Sequence, residues 1–150
     1  MAEALTTLAR LLVVLEVQED EAGATFRFQQ GEQGRLALAD ANYGTHLRLA
    51  RRSQERQHPV GVGIGHGNVI TEMIRADNDV PLELWDDGLD DTRVIFQGHD
   101  GVFRVKSSQP ESPHIRKFLG EALRQKTRVW FIAQKPDLFL LDVLPTEKPA

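Results

Sequence analysis

Thr92-Arg93-Val94-Ile95-Phe96-Gln97-Gly98-His99-Asp100-Gly101-Val102-Phe103-Arg104-Val105-Lys106 is the stretch whose reading decides the fold. Residues 92–97 and 102–106 read as strands, and a glycine-framed turn, Gly98-His99-Asp100-Gly101, separates them. That is the pattern of two strands joined by a hairpin. The pattern occurs once before. Phe26 and Phe28 alternate with polar neighbours, Gln30-Gly31-Glu32-Gln33-Gly34 supplies a turn, and Leu36 and Leu38 alternate after it.

The echo extends along the chain. Leu15-Glu16-Val17 returns as Leu82-Glu83-Leu84, Phe28-Gln29 as Phe96-Gln97, and the turn closing at Gly34 as the turn closing at Gly101. His46-Leu47-Arg48 returns as His114-Ile115-Arg116, and Ile70-Thr71-Glu72-Met73-Ile74 as Leu140-Leu141-Asp142-Val143-Leu144. Five matches in one order point to an internal duplication. Each copy reads as strand, strand, strand, helix, strand, strand.

In the first copy, strands fall at residues 11–19, 25–29 and 35–39. A helix at 43–57 is stopped by Pro59, and strands follow at 60–64 and 69–75. In the second, strands fall at 82–85, 92–97 and 102–106. A helix opens at Pro113 with Ser112 as its N-cap, and strands follow at 128–134 and 138–144. The fold class expected is mainly β with α (α+β). The repeated unit resembles an OB-like or small barrel, because a helix lies between its third and fourth strands. The two copies are expected to pack as a pseudo-symmetric pair. Repeat 1 covers residues 11–76 and repeat 2 covers 80–145. Leu5, Leu8 and Leu12 suggest an N-terminal helix over 1–10, residues 77–79 belong to a short connector, and 146–150 form a flexible tail.

The chain has 150 residues, 41% of them hydrophobic and 27% charged, which is the balance of an ordinary globular protein. Its formal net charge is −4, so a site for polyanions has to be local. No cysteine is present, which excludes a disulfide scaffold, a zinc–thiolate centre and a thiol nucleophile together. No basic n-region opens the chain, and no apolar run approaches the length of a membrane span. The expected setting is cytoplasmic, without membrane contact.

The least ordinary segment is Val60-Gly61-Val62-Gly63-Ile64-Gly65-His66-Gly67. It leads into a strand, whereas a phosphate-binding loop leads into a helix. In a strand, Gly61, Gly63 and Gly65 would leave one face bare for close approach by another backbone or a large side chain. Trp130, at the matching place in the second copy, is the expected occupant, from the other copy or another subunit. Basic residues gather on the two helices: Arg48, Arg51, Arg52 and Arg56 on the first, Arg116 and Lys117 on the second. With Tyr43, Trp85, Trp130 and Phe139 as stacking groups, these would suit single-stranded nucleic acid.

Other chemistry is weakly marked. The run Asp86-Asp87-Gly88-Leu89-Asp90-Asp91 lacks the ligand spacing of a calcium loop and reads as a hairpin tip. The five histidines have no metal-ligand spacing. His46 and His114 occupy matched places and suggest a shared structural role. His99-Asp100 forms a turn, Glu72 and Asp142 sit on final strands, and no glycine-framed serine occurs. The expectation is a non-catalytic protein-binding, assembly or adaptor protein with a protein partner or larger complex, possible homo-oligomerisation, no cofactor and no metal. The alternatives are an OB-like single-stranded nucleic-acid binder, then a small-molecule binder or an enzyme that would bring His66, His99 and Asp100 together.

Overall fold

The computed structural model describes residues 9–89 and 91–146. It divides into two compact units, Met1–Arg75 and Ala76–Ala150. Residues 1–8 of the N-terminal helix expected over 1–10 and the last four residues of the expected tail lie outside the described residues. Within the described part, Arg10–Leu12 is a strand. Leu12 belongs to the core of the first unit as a strand residue.

The first unit runs β1 (Arg10–Leu12), β2 (Val14–Asp20), β3 (Gly23–Phe28), β4 (Gln33–Ala37), α1 (Tyr43–Arg56), β5 (Val60–Ile64) and β6 (Ile70–Ile74). Two three-stranded antiparallel sheets form, β1-β5-β6 and β2-β3-β4, linked by a single parallel bridge between Arg35 and Val69. The second unit runs β7 (Asp77–Asp79), β8 (Pro81–Asp86), β9 (Asp91–Phe96), β10 (Phe103–Lys106), α2 (Ser112–Gln125), β11 (Val129–Gln134) and β12 (Phe139–Pro145). Its six strands make one sheet in the order β7-β11-β12-β10-β9-β8. The protein is thus mainly β with two helices. The sheets are open, so the expected barrel closure does not occur. The six-stranded sheet has β7 and β8 at its edges, and its one parallel pairing, β10 with β12, is a single residue pair, Arg104 with Phe139.

The structure also adds a strand to each unit. Residues 11–19 were expected to be continuous, but the pairing of Leu12 with Val60 and of Val14 with Phe28 sends β1 and β2 to different partners. Asp77-Asn78-Asp79, expected within a connector, pairs with Phe131-Trp130-Val129 as β7. Each unit therefore reads β-β-β-β-α-β-β.

Strand register relates positions in the two units. Leu12 faces Val60 as Asp79 faces Val129. Val14 faces Phe28 as Pro81 faces Phe96, and the next residue, Leu15 or Leu82, is bulged out of the ladder in both. Phe26 faces Gly34 as Val94 faces Phe103. Thr71 and Leu141 are the bulged residues of β6 and β12. This register corrects two of the matches read from sequence. Gly34 corresponds to Phe103, not to Gly101. The helices end at Gln57 and Lys126, both left-handed, so His46 corresponds to Ile115 and not to His114.

Each unit closes over its own core. Phe26, Phe28 and Leu36 meet Ala50 of α1 and Val60 and Val62 of β5 in the first. Phe96, Phe103 and Phe131 meet Ile115 and Leu119 of α2 in the second. Ser112 is the first residue of α2 and not its cap: its hydroxyl is buried without a partner, and Glu111 holds the cap position with no side-chain bond. Pro113 does sit in the first turn.

One polar contact ties α1 to the sheet. The buried Val14 N–H donates to Ser53 Oγ at 3.0 Å, and Ser53 Oγ donates to the His58 carbonyl at 2.6 Å. The second unit has Pro81 where the first has Val14, and Ala122 where the first has Ser53. Proline carries no N–H, so no hydroxyl is needed there. Ser53→Ala strands the Val14 N–H and should cost about 1–3 kcal/mol in urea unfolding.

Candidate binding surfaces

The basic residues on the helices are where the sequence places them. Arg48, Arg51, Arg52 and Arg56 are all exposed on α1. Arg51 pairs with Glu19 of β2. Arg48, Arg52 and Arg56 stand four residues apart along one side of the helix. None of these three has a carboxylate within ion-pair distance among the described residues. Arg116 and Lys117 are exposed in the early turns of α2 and are likewise unpaired.

In the glycine strand, Gly61 and Gly63 are buried in β5, which lies between β1 and β6. Gly65 is half-buried past the strand end, and its N–H donates to the Val69 carbonyl at 2.7 Å. Trp130 is half-buried in β11, opposite Asn78 and Leu144. Phe139 is no open stacking platform. The Lys106 ammonium and the Arg104 guanidinium lie 3.8 and 4.5 Å from its ring centre. Tyr43 packs against the first core.

Trp85 is exposed, and it is not alone. β8 ends its sheet, with β9 on one side and no strand on the other among the described residues. Leu82 and Trp85 on β8 and Leu89 in the following turn are all exposed large apolar side chains, Leu89 at 77%. The bulge between Pro81 and Glu83 turns Leu82 out of the ladder. Trp85 is legible from the sequence as an exposed aromatic, whereas Leu82 is not, because a bulge interrupts the two-residue alternation that would place it.

The acidic run is a hairpin tip, as its spacing suggested. Asp87 Oδ1 accepts from the Leu89 and Asp91 N–H groups, and Asp87 Oδ2 accepts from Arg93 Nε at 3.0 Å. Asp86 accepts from the Thr92 hydroxyl, and Asp91 pairs with Arg104. These carboxylates are already satisfied by protein donors. Among the described residues no group of three or more His, Asp or Glu side chains is gathered as a metal site.

The histidines serve different ends. His46 is buried in α1, with Nδ1 unpartnered and 4.0 Å from Asp40. His114 is half-exposed, and its Nε2 lies 2.8 Å from Asp142 Oδ1, joining α2 to β12. The shared role expected of the pair is therefore not seen, for the one-residue reason given by the helix ends. Glu72, the counterpart of Asp142 by register, is half-buried on β6. His99 turns away from the partner its sequence neighbour suggested. Its Nδ1 lies 2.5 Å from Asp79 Oδ2, and Nε2 lies 3.7 Å from Asp77 Oδ1. The ring also meets Phe96, Phe103 and Phe131 edge-on.

Asp79 accepts further bonds from the Gly98 N–H at 2.7 Å and from its neighbour Val80 N–H at 2.7 Å. Burial pushes its carboxyl up, but the bonds from His99, Val80 and Gly98 together outweigh burial and hold it below its ordinary value of 3.8. A carboxyl lowered by folding stabilises fully above that ordinary value and loses its contribution as pH falls through the folded one. Asp79→Asn presents an amide N–H to the Gly98 and His99 donors. It should cost about 1–3 kcal/mol at pH 7, and the gap to the parent should shrink on acidification to about pH 3. Urea unfolding at the two pH values checks both parts.

No described helix is long and apolar enough to cross a membrane. Compared with protein-family models, curated proteins and solved structures, the chain matches none.

Proposed function

We propose that the chain is a non-catalytic binding protein that engages a protein partner through strand β8. The observation that carries this reading is the co-location of an unpaired sheet edge with Leu82, Trp85 and Leu89. An extended segment can add to such an edge through main-chain hydrogen bonds, while exposed side chains beside it supply apolar contact and selectivity. A single exposed leucine is common on protein surfaces; three large apolar groups at one open edge mark a contact surface. Glu83 and Asp86 are exposed on the same strand, so a segment mixing apolar and basic residues suits it best. The test is capture from the native host by the parent chain and by a Leu82→Lys, Trp85→Lys variant. The reading expects a partner held by the parent and released by the variant; equal capture by both counts against it.

A second reading is favoured by the unpaired row Arg48, Arg52 and Arg56. Three guanidinium groups without acidic partners among the described residues suit the phosphates of a single-stranded nucleic acid, in a chain of formal net charge −4. Anisotropy with labelled single-stranded DNA and RNA decides it. Micromolar binding that weakens steeply with salt supports it, and flat anisotropy at low salt removes it.

We also infer that the two units descend from one duplicated segment. The shared strand order, the bulges at Leu15 and Leu82 and those at Thr71 and Leu141 support this. The paired change of Val14 to Pro81 and Ser53 to Ala122 fits a copy that drifted with compensation.

A further inference from the structure

The edge strands β2 and β8 share one register but not one chemistry. In the first unit, Glu16 of β2 faces Arg27 of β3, and Gln18 faces Thr25. Arg27 donates to Glu16 Oε1 from Nε at 2.9 Å and from a terminal nitrogen at 2.7 Å. In the second unit, Glu83 faces Ile95 and Trp85 faces Arg93. The carboxylate is the same, but isoleucine stands where the first unit has arginine, and tryptophan where it has glutamine. Glu83 therefore has no cation within ion-pair distance among the described residues. Arg93 does not stand in for the missing partner, because its Nε donates to Asp87 at 3.0 Å.

Glu83, Trp85 and Ile95 share one accessible face. Leu84 and Val94 pack in the core of the second unit, so strand alternation turns these three to the opposite side. Glu83 and Trp85 are exposed, and Ile95 is half-buried. The main chain of β8 is open beside them. The Asp87 N–H donates to the Asp91 carbonyl, so Trp85 also directs its main-chain groups to β9, while Leu84 and Asp86 direct theirs to the open edge. A carboxylate, an indole face and an aliphatic floor together match one side chain. A guanidinium offers forked N–H donors to the oxygens and a flat, weakly hydrated cation to the ring, and its stem covers the isoleucine. We propose that the β8 edge selects an extended segment carrying an arginine, whose guanidinium lies on Trp85 and pairs with Glu83 while its stem covers Ile95. The incoming arginine does from outside what Arg27 does within the first unit. The segment bonds to the main chain of Leu84 and Asp86, and its residue opposite Glu83 or Trp85 projects to the same face. This inference rests on the β8 reading above and names the side chain that its partner must carry.

The probes are the peptide acetyl-Thr-Val-Thr-Arg-Thr-Val-Thr-amide and the same peptide with citrulline, which keeps the shape of arginine without its charge. Both are titrated into the full ¹⁵N-labelled chain. The arginine peptide should shift the amide signals of Glu83, Leu84, Trp85 and Asp86 and the Trp85 indole signal. It should bind at least fivefold more tightly than the citrulline peptide. Glu83→Gln, at an exposed position, should bring the two peptides level. Ile95→Arg rebuilds the pair of the first unit inside the second and should also remove the preference, with a dispersed spectrum showing that the chain is folded. Equal binding of the two peptides by the parent overturns the arginine site while leaving the β8 edge occupied and its reading intact. An arginine preference unchanged in Glu83→Gln overturns it as well. So does the absence of β8 shifts with either peptide at millimolar concentration, and the edge reading is then decided by its own capture experiment, which presupposes no arginine.

Discussion

Phe131→Ala should lower the stability of the second unit by about 3–5 kcal/mol, the usual cost of removing a buried phenylalanine where neighbours cannot collapse into the gap. Phe131 is fully buried. Its ring is stacked on Phe96 with planes 5° apart and meets Phe103 edge-on at 5.4 Å. Both partners come from the β9–β10 hairpin, which β12 separates from β11 in the sheet, so one truncation breaks contacts between β11 and that hairpin. Aromatic geometry adds about 0.5–1.5 kcal/mol per pair beyond the area buried. His99 leans on the same ring, so its bond to Asp79 should loosen as well. Urea unfolding followed by amide exchange resolves the change by unit. Phe131→Leu, which keeps most of the apolar volume, should cost markedly less. A loss below about 1 kcal/mol for the alanine variant would show that the cluster tolerates repacking.

Gly23→Ala should cost about 3 kcal/mol or more in the first unit. Gly23 opens β3 just after the β2–β3 turn, with φ at +147°, a region that side-chain-bearing residues rarely enter. A Cβ there would lie 2.0 Å from the Leu36 carbonyl oxygen and 2.9 Å from the Leu38 nitrogen. Both obstacles are backbone atoms of the next strand region, so no rotamer change relieves them. The β3–β4 ladder has to open or shift. Gly31→Ala is the control. It also has a positive φ, +103°, but an added Cβ there meets nothing within 4 Å. Its cost should be the backbone strain alone, about 1 kcal/mol. Thermal unfolding of the two variants separates clash from strain, and equal losses would contradict the geometry.

Much of the architecture was legible because alternation and turn chemistry survive in both units. β5 matches the valine–glycine alternation at residues 60–64. The helices were legible from Pro59 at one end and Pro113 at the other. What failed did so for local reasons. Asp77-Asn78-Asp79 has no apolar pattern, and its place as a strand comes from pairing with β11 and from the bonds Asp79 makes to Gly98 and His99. The helix alignment slipped by one residue because a short His-x-Arg identity outweighed helix ends at Gln57 and Lys126, neither of which is the glycine that normally marks a left-handed cap.

The site was less legible than the fold. Gly61 and Gly63 stand out in the sequence as positions that admit a close neighbour, and both are buried in β5. Leu82 escaped because its exposure depends on a bulge.

The most direct test of the account is whether the β8 edge is where a partner binds. The parent chain, the Leu82→Lys, Trp85→Lys variant and an Arg48→Glu, Arg52→Glu, Arg56→Glu variant should be immobilised side by side and exposed to extract of the native host. The account predicts that one protein is held by the parent and by the arginine variant and is lost from the β8 variant, with all three chains folded by circular dichroism. Retention of that protein by the β8 variant and its loss from the arginine variant would contradict it and move the binding surface to α1.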